Sequence, residues 1–179
     1  MGVKPFEYFH FCPRCGRGGQ LPGPHEPFRC SACQFTYFFN PAIAAAAFIT
    51  NPDGLVLFIR RAKEPAKGKL ALPGGFIDAG ETAEQAVRRE AREEVGLELA
   101  SISYLSSHPN TYPYRDVSYP VLDFFFLAEA QDGQAATALD GVASYSWLEP
   151  AEVNPDDLAF ASIRAAWECY LKILKSPPL

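Results

Sequence analysis

Four of the five cysteines form two short pairs near the start of the chain, and their spacing restricts the possible structure of this region more than any other feature. Cys12 and Cys15 are separated by two residues, as are Cys30 and Cys33, and fourteen residues lie between the pairs. Two such pairs are typical of a tetrahedral structural zinc site, and a set of buried free thiols is the alternative. We therefore expect these four cysteines to bind one Zn²⁺.

The sequence divides near residue 39 into two parts of different composition. Residues 1–38 are rich in Pro and Gly and show little apolar periodicity, so we expect zinc to hold them together in place of a hydrophobic core. Residues 39–176 carry the apolar patterns of a full domain. The fifth cysteine, Cys169, lies in a helical pattern beside Trp167 and Tyr170 and fits a core position.

The net charge of −5 is unevenly distributed along the chain. Residues 1–40 hold four basic and two acidic side chains, a balance of +2, which leaves −7 for the remainder. An acidic main body does not suit sequence-independent nucleic-acid binding, which depends on Lys and Arg. No apolar stretch reaches the roughly 20 residues of a membrane span, and no signal-peptide pattern opens the chain. We expect a cytoplasmic protein whose partner is a small molecule, not a nucleic acid or a membrane.

The order of strand and helix patterns predicts an α/β fold with a mixed β-sheet between α-helices. A helix is expected to end at Gly96, and a last helix is expected to begin at the cap Asn154, to bury a stripe from Phe160 to Leu174, and to stop at Pro177 and Pro178. The first helix is predicted over Thr82–Val95. The predicted strands are Ala42–Thr50, Leu55–Arg60, Leu99–Ser107, Val121–Glu129 and Val142–Leu148.

Three carboxylates converge on one face of the predicted helix Thr82–Val95. Glu90, Glu93 and Glu94 are three and four residues apart, and the pair Gly74-Gly75 upstream lets backbone approach a ligand closely. Hard oxygen ligands suit Mg²⁺. A solvated surface of mixed charge is the alternative, because Arg88, Arg89 and Arg92 are interspersed.

The segment from Gly75 to Leu97 resembles the Nudix box at every polar position. Five residues separate Gly75 from Glu81, seven more lead to Arg89-Glu90, and Glu93-Glu94 and Gly96-Leu97 follow at the family's spacing. Ala91 stands where the family often has a bulkier aliphatic residue. The resemblance implies a Nudix fold and metal-dependent hydrolysis of a nucleoside diphosphate derivative, with Mg²⁺ or Mn²⁺. It also implies that Glu90, Glu93 and Glu94 bind the metal, with support from Glu81 and from a carbonyl of Gly74 or Gly75, and that Arg89 orients the carboxylates.

Three further residues are candidates at the predicted site. Asp140 lies one residue from the position where many Nudix members have an acidic residue, so it is a candidate general base or additional metal ligand. Arg60 and Arg61 end the second predicted strand and could clamp a substrate phosphate, or they could form a solvated strand end.

The four-cysteine ribbon ahead of a Nudix domain resembles the NADH pyrophosphatase branch of the family. The segment Ser107–Arg115, SHPNTYPYR, matches that branch's diagnostic segment at Ser107, Pro109 and Pro113, and Tyr112 replaces a Phe. It departs from that segment at His108, Asn110, Thr111 and Arg115. Tyr112 and Tyr114 could stack on a base, or simply pack against their own loop. We expect a substrate such as NADH or ADP-ribose, and the resemblance favours a homodimer.

Two other functions stay open on the sequence alone. A ligand-sensing Nudix regulator without hydrolysis would use the ribbon as a contact module, although such sensors usually lose box carboxylates. A housecleaning hydrolase of oxidised nucleoside triphosphates would share the whole box.

Overall fold

The computed structural model describes residues 2–175, which group into two compact units. One unit comprises Met1–Ala42 together with Thr111–Val121, and the other comprises Ile43–Asn110 together with Leu122–Leu179. The chain therefore passes from one unit to the other three times. The predicted division into domains 1–38 and 39–176 stays a prediction.

The first unit contains the cysteine pairs and very little regular structure. A 3₁₀ turn covers Pro5–Tyr8, and strands β1 (Phe28–Arg29) and β2 (Thr36–Tyr37) form a short antiparallel ladder. Its buried cluster consists of Cys12, Phe28 and Cys30, against which Phe9, Phe35 and Phe39 pack. A core this small agrees with the expectation that the region depends on another source of stability.

The second unit is built on a seven-stranded sheet with hydrogen-bonded order β5-β4-β3-β8-β7, in which β6 pairs with β3 and β9 pairs with β4. The antiparallel β3–β4 pairing confirms the predicted hairpin. The region 61–80, predicted as loop, contains the short strands β5 and β6, because backbone next to an existing sheet edge pairs with it even where Pro and Gly are frequent. The strands are β3 (Ala42–Thr50), β4 (Val56–Arg61), β5 (Leu70–Ala71), β6 (Gly74–Phe76), β7 (Leu99–Tyr114), β8 (Val117–Ala130) and β9 (Val142–Leu148).

Helix α1 (Ala83–Val95) ends as the sequence predicts and begins one residue later than predicted, with Thr82 as its N-cap. The Thr82 side chain accepts from the Gln85 N–H and the Gln85 side chain accepts from the Thr82 N–H, which forms a capping box. Gly96 ends the helix in the left-handed conformation, with φ of 70°. Ala86, Val87, Ala91 and Val95 are buried, so the box position Ala91 packs into the core.

Helix α2 (Ala161–Lys175) starts later than predicted. Asn154 caps a separate 3₁₀ turn, Pro155–Asp157, because a proline after a capping side chain suits that tighter turn equally well. Tyr170 stacks on Phe48 of β3 and the tilted ring of Trp167 packs against the same Phe48, which anchors the helix on the sheet. Leu174 of the predicted stripe is 53% exposed. Pro177 and Pro178 lie outside the described residues. The α/β fold class, a mixed sheet packed by helices, is confirmed.

Strands β7 and β8 form a hairpin that is much longer than the predicted strands. The predicted strand Leu99–Ser107 corresponds to the start of β7. β7 continues through Tyr114, and the turn of the hairpin lies at Arg115-Asp116. β7 contains Pro109 and Pro113, and it is the last strand of the sheet order, where a missing N–H donor is tolerated. Among residues 2–175, no helix is long and apolar enough to cross a membrane.

Candidate functional site

The four paired cysteines bring their sulfur atoms together in the first unit. All four Sγ atoms lie within 4.8 Å of one another, with 3.6 Å between Cys12 and Cys33 and 3.7 Å between Cys15 and Cys30. A zinc–sulfur bond of about 2.3 Å places two thiolates of a regular tetrahedron about 3.8 Å apart. All five cysteines are free. The donor set therefore fits a closed zinc site.

The box carboxylates differ in their exposure along α1. The side chain of Glu90 is 14% exposed and that of Glu93 is 55% exposed. Glu94, on the next position of the helix, is largely enclosed, and burial raises the pKa of its carboxyl to about 8. A solvated surface face would leave all three in water, so the mixed-charge alternative does not account for Glu90 and Glu94.

Two glycines of β6 make room for these carboxylates. The Gly74 N–H donates to Glu94 Oε2 at 2.9 Å. A side chain at Gly75 would overlap the Glu90 carboxylate, since a Cβ there would lie 2.7 Å from Glu90 Cδ. A side chain at Gly74 would meet the backbone of β3 at Ala46 Cα, 2.6 Å away. The two glycines therefore let β6 approach both α1 and β3 closely.

Arg89 uses all five of its N–H donors, four on acidic side chains and one on a backbone carbonyl. Nε and Nη2 donate to the two oxygens of Glu81 at 3.0 Å each, and Nη2 also donates to the Phe76 carbonyl at 3.0 Å. Nη1 donates to Glu90 Oε1 at 2.7 Å and to Glu93 Oε2 at 3.1 Å. The guanidinium therefore fixes the positions of three carboxylates, as expected of a residue that orients metal ligands.

The electrostatics of the cluster favour a cation. Hydrogen bonds from Arg89 lower the pKa of Glu81, whereas burial raises the pKa of Glu90 despite its contact with Arg89. Burial likewise disfavours the ionised form of Glu94, so the folded protein holds two carboxylates that are costly to ionise. A divalent cation beside them would offset that cost.

The glutamates do not converge as tightly as the thiols. Within residues 2–175, the cysteines are the only convergent group of three or more metal-ligating side chains. Mg²⁺ retains several waters and takes one or two carboxylates, so Glu90 and Glu94 suffice as a donor set. The residues present fit a hydrated divalent cation better than a fully enclosed one.

The other candidates lie in different surroundings. Asp140 is exposed and 3.5 Å from Lys63 Nζ, and its charge is among the causes that raise the pKa of Glu94. The charge of Arg61, in contrast, lowers the pKa of Glu94. Arg61 Nε donates to the Pro65 carbonyl at 2.7 Å, and its guanidinium lies over the Phe160 ring. Arg60 is exposed and donates to the Gly68 carbonyl at 3.0 Å. Tyr112 and Tyr114 belong to the first unit, not to the unit of the box.

Sequence reasoning missed two residues. Phe76 directly follows Gly75, its carbonyl accepts from Arg89, and its side chain is 43% exposed, so an aromatic residue within the box is open to solvent. Asp123 is buried in β8 and accepts from Ser162 Oγ at 2.6 Å and Asn110 Nδ2 at 2.8 Å. The signal for Asp123 was an acid inside the apolar run VLDFFFLA, which is costly to bury without hydrogen-bond donors.

Comparison with known proteins places these features in a family. Residues 40–166 match the NUDIX domain. The chain is 37% identical over 101 residues to an ADP-ribose pyrophosphatase of Methanocaldococcus jannaschii, covering 56% of this chain and 58% of that protein. It is 25% identical over 158 residues to the NAD-capped RNA hydrolase NudC of Vibrio vulnificus, covering 85% of this chain and 58% of that protein. The chain thus spans less than two thirds of the length of these relatives.

Solved structures show the same architecture. A NUDIX hydrolase from Nitrosomonas europaea aligns with a TM-score of 0.68 at 22% identity, covering 94% of this chain and 95% of that one. The NUDIX domain of Shewanella oneidensis NrtR, solved in complex with ADP ribose, aligns with a TM-score of 0.63 at 25% identity, covering 77% of this chain and 91% of that one.

Proposed function

The chain belongs to the Nudix family, and from this premise we propose that it hydrolyses the diphosphate bond of a nucleoside diphosphate derivative with the help of Mg²⁺ or Mn²⁺. The observation that carries the proposal is the pair of enclosed carboxylates, Glu90 and Glu94, packed against Gly74 and Gly75. Carboxylates that are costly to ionise in the metal-free protein are well suited to hold a cation that binds a diphosphate.

Each box residue has a defined part in this proposal. Glu90 and Glu94 hold the cation, Glu93 completes its environment from the solvent side, and Glu81 fixes Arg89 through a two-point contact. When bound, the cation would activate water and neutralise the developing charge on phosphate oxygens. Because Arg89 has all five donors engaged by protein atoms, we assign it the positioning of carboxylates and not contact with substrate.

We propose a dinucleotide or nucleotide sugar, such as NADH or ADP-ribose, as the substrate class. The names of the M. jannaschii and V. vulnificus relatives support this choice, since one concerns ADP-ribose and the other an NAD group. Phe76, next to Gly75 in the box, is 43% exposed, and we propose that its ring stacks on a base or a nicotinamide. We retain Tyr112 and Tyr114 as proposed stacking residues, and Arg60 and Arg61 as proposed phosphate contacts. Asp140 remains a proposed general base or additional metal ligand.

A substrate panel tests the proposal. Purified protein is offered NADH, NAD⁺, ADP-ribose, diadenosine polyphosphates and oxidised nucleoside triphosphates, each with Mg²⁺ and with Mn²⁺, and products are separated by chromatography. We expect metal-dependent release of a nucleoside monophosphate from NADH or ADP-ribose. Preference for oxidised triphosphates would favour the housecleaning function. Tight binding of ADP-ribose without turnover would favour the sensor.

The finer properties belong to the same proposal. We propose that the ribbon binds Zn²⁺ for structure alone, because four thiolates leave no open coordination position. We also propose a homodimer acting in the cytoplasm, for which sedimentation of the purified protein and cell fractionation are the direct measurements.

A further inference from the structure

A buried carboxylate far from the box in sequence connects two elements of the second unit. Asp123 of β8 is 9% exposed, and its Oδ2 accepts from Asn110 Nδ2 of β7 at 2.8 Å and from Ser162 Oγ of α2 at 2.6 Å. Ser162 is itself 1% exposed, and His108 of β7 contributes a favourable charge interaction with Asp123. We call Asn110, Asp123 and Ser162 the polar clasp.

The polar clasp is a poor device for stability alone. Burial raises the pKa of Asp123, and the two donors bonded to it are neutral, so the carboxylate loses more hydration than these bonds return. An apolar side chain at position 123 would avoid this cost only if the buried Ser162 hydroxyl and the Asn110 amide, which both donate to Asp123, were replaced as well. The carboxylate instead fixes relative positions, because one oxygen, Asp123 Oδ2, accepts hydrogen bonds from donors on two separate elements, β7 and α2.

The polar clasp contacts one segment of β7. Asn110 and His108 lie in the segment Ser107–Arg115, and they are two of its four departures from the diagnostic segment of the NADH pyrophosphatase branch. His108 approaches α2 as well, with 4.0 Å between its Nε2 and Cys169 Sγ. These two departures make polar contacts between β7 and the elements packed beside it. Tyr112 follows Asn110 by two residues in β7.

We propose that Asp123 is a positioning residue for substrate recognition, which fixes Ser107–Arg115 through Asn110 while Ser162 fixes Asp123. This inference rests on the proposed function in one respect, since it takes that segment to contact the base or nicotinamide. It assigns Asp123 no contact with substrate and no part in the chemical step.

Exchanging the side chains of Asn110 and Asp123 tests the proposal. Asn110→Asp alone sets two carboxylates against each other at hydrogen-bond distance, which their charges oppose. Adding Asp123→Asn restores the pair, because the new amide NH₂ donates to the Asp at 110 and also to the Ser162 hydroxyl, which accepts as well as donates. The matched control is Ser101→Ala, which removes the 3.0 Å bond between Ser101 Oγ and Glu129 Oε2 across the same two strands.

The expected readout is a split between KM and kcat. For the best substrate of the panel, Asn110→Asp should raise KM about tenfold with kcat within about twofold, the scale of one lost hydrogen bond, and the double variant should return KM to within about threefold of wild type. Ser101→Ala should leave both constants unchanged. A KM unaffected by Asn110→Asp would overturn the proposal, as would a double variant that regains melting temperature but not KM.

Hydrogen exchange gives a second readout that needs no substrate. Amides of Thr111–Arg115 should exchange faster in Asn110→Asp than in wild type and recover in the double variant. Equal exchange in all three proteins would also overturn the proposal. If wild type shows the expected exchange pattern but hydrolyses nothing in the panel, the proposed function fails while the anchoring of this segment by Asp123 stands.

Discussion

Replacing Glu94 with Gln should stabilise the protein in the absence of Mg²⁺ while removing its activity. Burial raises the pKa of Glu94 from its ordinary value near 4.5 to about 8. At a pH between these values the unfolded chain has lost a proton that the folded protein keeps, so stability falls as pH rises through this window. Below about pH 4.5 Glu94 is protonated in both states and contributes nothing to the pH dependence.

The magnitude follows from the size of the shift. Each pKa unit corresponds to about 1.4 kcal/mol, so the Glu94 contribution should lower the free energy of unfolding by about 4 kcal/mol between pH 5 and pH 8. Glu94→Gln removes that contribution and still offers an oxygen to the Gly74 N–H. Its stability should therefore vary much less with pH, and near pH 8 it should exceed that of wild type.

Urea unfolding at pH 5, 6, 7 and 8 without added Mg²⁺ measures the difference. Glu93→Gln is the matched control, because its side chain is 55% exposed and an exposed group contributes little to stability. Both variants should lose about a hundredfold or more of Mg²⁺-dependent hydrolysis, the scale of a removed catalytic group. A Glu94→Gln protein with the pH slope of wild type would refute the electrostatic reasoning, and full activity in both variants would refute the metal site.

Two predictions concern the other candidate residues. Elemental analysis of freshly purified protein should find one zinc per chain, and replacing Cys12 or Cys30 with Ser should release it and lower the melting temperature of the ribbon; absence of zinc, or disulfides between the four cysteines, would contradict this. Tyr112→Ala or Tyr114→Ala should mainly raise KM, because stacking holds ground state and transition state alike, and unchanged KM and kcat in both would exclude these rings from recognition.

The parts of the molecule that depend on fixed spacing could be predicted from the sequence. The cysteine pairs require only two short turns, and the box requires one helix. Glu90 meets Gly75 and Glu94 meets Gly74 because α1 is regular and packs on β6. The stop at Gly96 is local as well and is confirmed, whereas Thr82, predicted as the first helical residue, is the N-cap.

Features set by neighbours in space could not be predicted in the same way. β7 continues past Ser107 because β8 lies beside it, and nothing within SHPNTYPYR indicates that partner. The late start of α2 has a similar origin, since the cap at Asn154 serves a 3₁₀ turn as well as a helix. The hydrogen bonds of Asp123 could not be predicted, because both donors, Asn110 and Ser162, come from elements distant in the sequence.

The composition of the first unit has a consequence for synthesis on the ribosome. The N–H of Val3 donates to the Asp116 carbonyl at 3.0 Å, and the Ser118 N–H donates to the Val3 carbonyl at 2.9 Å. Val3 therefore gains both partners only after Ser118 has been added, 76 residues after Ala42. At about 5–20 residues per second that interval is roughly 4–15 s. We expect the proposed Zn²⁺ site to hold the nascent ribbon together during that interval, so the supply of zinc to the growing chain would become part of how this protein matures.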